Sequence, residues 1–301
     1  MRVGFLTFEQ YHGKKDIGSS RIRCDWLIKH WKEAGGIGDA ERFTFGRKYD
    51  VVVFQKAYWV EYAKAFKGIK ILDVCDADWL QWGYNMKQMI DECDAITCST
   101  FTIAKFLVQL TDKPVAVIPD RIDFSTMPEP KVHEGALKTV VWYGYAENFE
   151  VLDGAFPALK KRGLKLIVVS NKAYASTQTK TSDNPNGVEI QNFPWSPQTW
   201  IADVMRGDVI LNPKHEVGRF KYKSDNKTVQ AWALGIPVAH IDRDLDLFKT
   251  AEARNEEAKK RYEAVREDRD VKKSVVDLTE LINEIIADKA GKDVADGQVQ
   301  G

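Results

Sequence analysis

Short apolar runs alternate with amphipathic segments along most of the chain. Runs of four to seven apolar residues are typical of buried strands, whereas apolar residues spaced three and four apart are typical of helices. The runs predict strands at residues 3–8, 50–55, 69–74, 95–98, 115–118, 139–143, 164–170, 188–192 and 208–212. The periodic segments predict helices at residues 20–34, 58–66, 86–92, 100–110, 149–162, 196–205 and 246–287, the last with a break near residue 270. Strands that alternate with helices indicate parallel sheets covered on both faces.

One segment interrupts this alternation. Residues 124–138, FSTMPEPKVHEGALK, contain two prolines, a glycine and several charges, which is typical of a linker. We therefore predict a first α/β domain at residues 1–130 and a second at 131–270. Residues 271–301 are predicted to form a C-terminal helix and a frayed tail.

Composition limits the classes of function. The chain has 301 residues, 44% of them hydrophobic, which suffices for two cores. Its 44 basic and 44 acidic residues balance, which argues against a general attraction to nucleic acid or to an anionic membrane. The four cysteines lack metal-type spacing and are expected to be buried thiols. No apolar run reaches the roughly 20 residues of a membrane span, and no signal peptide is evident, so we expect a cytoplasmic protein.

Residues 208–240, DVILNPKHEVGRFKYKSDNKTVQAWALGIPVAH, combine a strand, a cationic loop and the start of a helix. Free N–H groups and the helix dipole favour an anion at such a helix N-terminus. Arg219 could bind phosphate oxygens in a bidentate manner, and Lys223 could act as a point charge. The alternative is a solvated basic loop. The segment therefore predicts a phosphate site that would also include Asn226, Lys227 and Thr228.

The part KSDNKTVQAWALGIPV, residues 223–238, resembles the donor-binding segment of GT-B glycosyltransferases. Residues 141–145 followed by Asn148, and the segment from STFTIAKFL to KPVAVIPDRID, are similar to further parts of that family. Gln230 stands where many members have a glutamate, and the acidic residue that many members carry about two helical turns upstream is missing. The resemblance implies two Rossmann-like domains that face a central cleft, with the C-terminal helix crossing back to the first domain.

The resemblance also implies an activity. A sugar would pass from a nucleotide-diphosphate sugar, which is a co-substrate, to a hydroxyl acceptor, with no bound cofactor and no metal. A glycan, a lipid-linked sugar, a protein, a small molecule and a modified nucleic-acid base all stay open as acceptors. Two alternatives also stay open: a catalytically degenerate nucleotide-sugar-binding protein, which Gln230 favours, and a nucleotide-sugar epimerase of the same fold.

The candidate donor-binding residues follow strands, because ligands of open α/β sheets bind beyond the carboxyl ends of the strands. Gly18, Ser19 and Ser20 form a small-residue turn before a helix that could approach a diphosphate. Gly18, Ser19 and Arg21 are the candidates there, and an ordinary N-capped helix is the alternative. Arg21 is favoured over Arg23, because residues two apart on a helix point in different directions. The remaining candidates are Gly144 and Asn148, which could instead form a helix cap, Trp195, which could stack on the base or pack, and Arg219, Lys223, Asn226, Lys227, Thr228 and Gln230.

The candidate catalytic carboxylates follow the third predicted strand. Residues 73–79, DVCDADW, offer Asp76 and Asp78 as a general base for the acceptor hydroxyl. Asp78 is preferred, because Trp79 and Trp82 beside it could stack on a sugar or a base. A turn with hydrogen-bonded aspartates and a divalent metal site are the alternatives.

The candidate catalytic cations are Arg219 and Lys223. Negative charge grows on the leaving phosphate as the glycosidic bond breaks, so cations there help most in the transition state.

Overall fold

Strand pairing divides the protein into two α/β units, each with a parallel sheet. A computed structural model describes residues 1–81, 86–174, 187–213 and 217–299 of the chain. The first compact unit comprises Met1–Asp123, Gly218–Ser224 and Arg269–Gly301, and the second comprises Phe124–Val217 and Asp225–Asp268. The predicted fold class, two parallel-sheet α/β units, is confirmed.

The first unit contains a six-stranded sheet in the order β2-β1-β3-β4-β5-β6, and every pairing is parallel. Its strands are β1 Arg2–Leu6, β2 Asp39–Arg42, β3 Val51–Gln55, β4 Ile69–Val74, β5 Ala95–Cys98 and β6 Val115–Val117. The chain runs from β1 to β2 on one side and then to β3 on the other. This reversal makes a topological switch point between β1 and β3, which is where ligands of such sheets bind.

The helices of the first unit are short. They are α1 Phe8–His12, α2 Gly18–Ser20, α3 Trp26–His30, α4 Val60–Ala65, α5 Asp78–Gln81, α6 Met86–Glu92 and α7 Phe101–Leu107. The helices α4, α6 and α7 bury apolar side chains such as Ala63, Met89 and Ile103 against one cluster with Val52, Phe54 and Leu72 of the sheet. This burial supplies the main favourable free energy of folding for the unit.

Several elements of the first unit were not predicted, among them β2 and α1, and one was predicted with the wrong form. Strand β2 is polar and half-exposed, and helix α1 lies in a segment predicted to be a loop. Helix α1 begins with a capping box, in which Thr7 and Gln10 exchange hydrogen bonds. The helix predicted at residues 20–34 instead begins at Gly18, passes through a π-helical stretch at Arg21–Asp25 and ends at His30.

The second unit contains a five-stranded parallel sheet in the order β11-β10-β7-β8-β9. Its strands are β7 Thr139–Tyr143, β8 Lys165–Ser170, β9 Ile190–Pro194, β10 Val209–Leu211 and β11 Val238–Ala239. The chain passes from β7 through β8 to β9 and then returns to β10 on the other side of β7. The switch point of this sheet therefore lies between β7 and β10.

The helices of the second unit follow the predicted order with changed starts. They are a 3-10 helix at Ala146–Ala155, α8 Phe156–Lys161, α9 Trp200–Val204, α10 Asn226–Ala233, α11 Asp244–Leu247 and α12 Ala251–Asp268. The helix predicted at residues 149–162 is α-helical only from Phe156, where a proline lies in the first turn. The helix predicted from Ser196 is α-helical from Trp200. The Ser196 hydroxyl accepts from the Thr199 N–H, as a capping residue does, and the Ser196 carbonyl accepts from the Trp200 N–H.

The last helix, α13 Val271–Val299, belongs to the first unit. It is separated from α12 near residue 270, as predicted. A bridge pairs Ile122 with Asp270, and Arg121 Nη1 donates to Ser274 Oγ at 3.0 Å and to Asp277 Oδ2 at 2.5 Å. The C-terminal helix therefore returns to the first unit, as predicted. In the described part of the chain, no helix combines the length and the apolar character that crossing a membrane requires.

Candidate functional site

The first candidate site begins with a lysine at the end of β3. Lys56 has φ 51°, in the left-handed region that non-glycine residues rarely adopt. Its N–H donates to the Asp73 carbonyl at 3.0 Å, which fixes this turn against the end of β4. The residue is only 4% exposed. A buried lysine in a strained conformation at a strand end is a feature that marks functional sites.

Two predicted carboxylates meet this lysine. Lys56 Nζ lies 2.7 Å from Asp76 Oδ2 and 3.2 Å from Asp78 Oδ1. Tyr58 Oη donates to Asp78 Oδ2 at 3.0 Å, and Lys223 Nζ lies 2.6 Å from Asp76 Oδ1. We call these five residues the Lys56 cluster. It combines two cations, two carboxylates and a phenol within the first unit.

The two carboxylates differ in charge state. Burial raises the pKa of Asp78 to about 6, against the opposing effect of Lys56. Burial also acts to raise the pKa of Asp76, but Lys56 and Lys223 outweigh it and hold that pKa well below its usual range. Burial acts to lower the pKa of Lys56, yet the charge of Asp76 beside it leaves the pKa raised. Near neutral pH, Asp76 is therefore a fixed anion, and Asp78 lies close to its titration.

The surroundings of Asp78 differ from those expected. Asp78 is fully buried, whereas the Asp76 side chain keeps 23% of its surface exposed. Trp79, expected to be an exposed stacking surface, is half-buried, because it stacks on Phe106 with ring centroids 4.2 Å apart and meets the edge of Tyr222 at 5.1 Å. Trp82 lies outside the described residues. Asp76 is thus the solvent-accessible carboxylate of the pair.

The turn after β1 carries the other first-unit candidates. Gly18 and Ser19 are partly exposed at the start of α2, and Ser20 Oγ donates to Gln55 Oε1 at 3.1 Å. Gln55 Oε1 also accepts from the Phe8 N–H at 3.0 Å. This amide therefore joins the ends of β1 and β3 at the switch point of the sheet.

The two arginines of this turn have different surroundings. Arg23 is buried and binds Asp73 with two hydrogen bonds of 2.7 and 2.6 Å, and it donates to Asp120 Oδ1 at 2.9 Å. Arg21 is partly exposed. The side chain preferred from the sequence, Arg21, is thus the accessible one of the pair.

The predicted phosphate-binding cations lie in a 3-10 helix, Gly218–Tyr222, and just after it. This segment belongs to the first unit, where Tyr222 contacts Trp79 and Ser224 Oγ donates to Asp120 Oδ2 at 2.5 Å. Lys223 is paired with Asp76, and the Arg219 guanidinium lies 4.9 Å from the Phe220 ring. The predicted donor cation Lys223 and the predicted base Asp76 therefore form one ion pair.

The second candidate site lies at the switch point of the second sheet. Lys227, in the first turn of α10, places its Nζ 4.6 Å from the Trp142 ring centroid. A Cβ on Gly144 would lie 2.5 Å from that nitrogen, and Gly144 has φ 153°. The sequence predicted that Gly144 allows a ligand to approach. In the structure, the missing side chain makes room for the Lys227 ammonium.

Hydrogen bonds fix the start of α10 to the ends of β7 and β10. Tyr143 Oη donates to the Lys227 carbonyl at 2.7 Å and lies 3.4 Å from Gln230 Oε1. Asn212 Nδ2 donates to Thr228 Oγ1 at 3.1 Å. Burial raises the pKa of Tyr143, so its hydroxyl stays a donor. Asn226, Lys227, Thr228 and Gln230 thus lie at the start of α10, where Lys227 is next to Gly144 and Gln230 is buried against Tyr143.

Two further candidates lie in packed or capping positions. Asn148 Nδ2 and its backbone N–H both donate to the Tyr145 carbonyl, at 3.4 and 3.0 Å, which matches the capping alternative. Trp195 packs with Phe193 against the buried cluster around β7, β8 and α9, which matches the packing alternative.

Sequence reasoning missed Lys56 and Tyr58. Their only signal was position, since both directly follow the apolar run of β3. In the described ranges, no group of three or more histidine, cysteine, aspartate or glutamate side chains is arranged to hold a metal ion.

Solved glycosyltransferase structures share this architecture. AviGT4, a glycosyltransferase involved in avilamycin A biosynthesis, aligns with a TM-score of 0.60 and 11% identity over 95% of this chain and 98% of its own. HepE from Anabaena, solved with UDP-glucose, aligns with a TM-score of 0.57 and 13% identity over 96% of this chain and 100% of its own. TarM aligns with a TM-score of 0.57 and 11% identity. The alignment covers 77% of this chain and 54% of TarM, so the chain spans about half the length of TarM.

No protein-family model and no curated protein matches the sequence. The structural likeness, together with the two parallel sheets and their switch points, shows that the chain has the GT-B fold. The resemblance seen in residues 223–238 is thereby confirmed at the level of the fold.

Proposed function

We propose that the protein is a glycosyltransferase that takes a sugar from a nucleotide-diphosphate sugar. The observation that carries the proposal is the second-unit site, where the Lys227 ammonium and the N-terminal turn of α10 meet Gly144 at the switch point of the sheet. A cation beside the N–H groups of a helix N-terminus at this position is suited to a diphosphate. HepE, of the same fold, was solved with UDP-glucose.

The chemistry follows from the charge that develops in the reaction. As the bond from the anomeric carbon to the phosphate oxygen breaks, its electron pair leaves with the diphosphate. Lys227 and the amides of Asn226 and Thr228 stabilise this growing charge. The acceptor hydroxyl attacks the anomeric carbon and gives its proton to a carboxylate, for which we propose Asp76, the exposed acid of the Lys56 cluster. The proposal needs no metal, since the cations of the chain neutralise the leaving group.

The test is a thermal-shift screen against UDP-, GDP-, ADP- and dTDP-sugars and the bare nucleotides. A ligand at about 100 times its dissociation constant adds about 2.7 kcal/mol to the free energy of unfolding. We expect one nucleotide to raise the Tm of the protein, and Lys227→Met to abolish that rise while keeping the packing on Trp142.

The matched control is Lys165→Met. Lys165 is exposed and pairs with Glu189 at the opposite, amino-terminal end of β8, so this variant keeps the nucleotide response. If no nucleotide shifts the Tm of the wild-type protein, or if Lys227→Met responds like the wild type, the donor site is wrong.

A second candidate is a nucleotide-sugar-binding protein that transfers nothing. Two observations favour it: Asp76 is paired with Lys223, and Gln230 replaces the family glutamate and is buried against Tyr143. Incubation of the identified nucleotide sugar with the protein and a set of acceptors separates the two candidates. Release of free nucleotide that depends on an acceptor supports the transferase, whereas binding without turnover supports the second candidate.

A further inference from the structure

We propose that Tyr58, Asp78 and Lys56 form a buried relay that sets how strongly Asp76 can accept a proton. The inference deepens the proposed function, because it rests on Asp76 as the carboxylate that faces the acceptor. Tyr58 and Lys56 are residues to which neither the motif nor the fold assigns a role. Both act through other groups, so they are positioning residues.

The geometry of the relay is continuous. Tyr58 Oη donates to Asp78 Oδ2 at 3.0 Å, Asp78 Oδ1 lies 3.2 Å from Lys56 Nζ, and Lys56 Nζ donates to Asp76 Oδ2 at 2.7 Å. All members except Asp76 are buried. A change in the charge of Asp78 therefore reaches Asp76 through the lysine and through the direct interaction of the two carboxylates.

The surroundings of Asp78 favour a change in its protonation state. It has one neutral donor and one ion-pair contact, and within the described residues its Oδ1 has no hydrogen-bond partner. Asp76, by contrast, contacts two ammonium groups. A buried carboxylate with so few partners favours its neutral form. Asp78 thus takes up a proton at a pH where Asp76 stays ionised.

The protonation state of Asp78 determines how strongly the charge of Lys56 acts on Asp76. When Asp78 is ionised, the lysine is shared between two carboxylates. When Asp78 binds a proton, the full charge of Lys56 acts on Asp76 and makes it a weaker base. The left-handed turn at Lys56 is fixed by its N–H bond to the Asp73 carbonyl, and the ammonium lies between both acids. Acidification through the titration of Asp78 therefore lowers the rate of transfer, although Asp78 touches no substrate.

Other ionisable groups face the relay and must be separated from it. Cys75 and Asp76 act on both Lys56 and Tyr58, and Lys223 acts on Asp76. His12 also titrates nearby, since burial, Lys14 and Lys56 lower its pKa. A readout specific to each carboxylate is therefore needed.

The experiment is a carbon-13 NMR titration of the full chain, with carboxyl-labelled aspartate and ε-labelled lysine, in the absence of substrate. We expect Asp78 to titrate near pH 6, and the Asp76 carboxyl and Lys56 Cε signals to show an inflection at the same pH. Tyr58→Phe removes a hydrogen bond to the ionised form, so it should move all three inflections to higher pH together. Asp78→Asn should remove the inflection from Asp76 and Lys56, and His12→Gln should leave all three in place.

The kinetic part uses the same variants. The acid limb of kcat/KM should fall through the Asp78 midpoint to a lower plateau, because protonation of Asp78 weakens Asp76 as a base without removing it. Tyr58→Phe should move the midpoint of this fall upward by the shift seen in NMR. The relay is overturned if the Asp76 signal shows no inflection at the Asp78 midpoint, or if the acid limb stays in place while that midpoint moves. Failure of the proposed function looks different, because the NMR coupling would be present without any transfer.

Discussion

The second-unit site can be tested by adding one methyl group at Gly144. In Gly144→Ala, the new Cβ would lie 2.5 Å from Lys227 Nζ on a backbone with φ 153°. The ammonium must move, so we expect the affinity for the nucleotide to fall at least about tenfold, or about 1.4 kcal/mol. Isothermal titration calorimetry measures it. Gly154→Ala is the control, because nothing lies within 4 Å of its Cβ, and equal affinities for the two variants would contradict the role given to Gly144.

Asp78 allows a test of burial through stability. The pKa of its carboxyl is about 6 in the folded chain against 3.8 for an exposed one. The folded state therefore binds this proton more tightly, so the stabilisation is fully present below pH 3.8 and is lost as the pH rises through about 6. Relative to wild type, Asp78→Asn should gain about 2 kcal/mol between pH 4 and pH 7. Denaturant unfolding at both values measures the difference, and a pH-independent difference would show that Asp78 titrates normally.

Burial and local hydrogen bonds explain which elements the sequence could predict. Strands such as β3 and β4 are buried on both faces, so each reads as an unbroken apolar run. Strand β2, with the sequence DAER, has no such run and forms because its backbone pairs with β1 at the sheet edge. Helix α1 has only five residues, and it depends on the capping box formed by Thr7 and Gln10. The spacing of apolar residues therefore predicts neither element. Backbone pairing forms β2 and the capping box starts α1, and neither depends on a buried face.

Helix α12 is anchored by the guanidinium of Arg254, which binds backbone carbonyls. Arg254 is fully buried, and its Nη atoms donate to the carbonyls of Phe248, Lys249, Glu134 and Gly135 at 2.9–3.2 Å. It thereby ties the linker to α12. Arg254→Met leaves these carbonyls without their donor, and we expect a loss of about 2–4 kcal/mol of stability. Lys259→Met, exposed on the same helix, should stay within about 0.5 kcal/mol by denaturant unfolding, and similar losses for both would refute the anchor.

Across the whole molecule, the sequence could place candidate residues at strand ends but could not show how they combine. Asp76 and Asp78 follow β4, Gly144 follows β7, and Lys227 lies in the first turn of α10. These positions could be predicted because the ends of strands and helices are local features of the sequence. The pairing of Lys223 with Asp76 joins residues 147 positions apart, and Lys56 meets both acids across two strands. Such contacts depend on the packing of side chains in the folded unit. Sequence periodicity carries no information about them.

Hydrogen exchange tests the donor proposal over the whole chain at once. If the nucleotide binds where the geometry indicates, its phosphates engage the N–H groups of the first turn of α10. With saturating nucleotide, we expect amide exchange to slow at least about tenfold at Asn226–Thr228. The amides of β2, at the edge of the other sheet, should exchange as before. Mass spectrometry of the wild type and of Lys227→Met provides the comparison. Protection that survives in Lys227→Met, or that appears only in the first unit, would move the donor site away from α10.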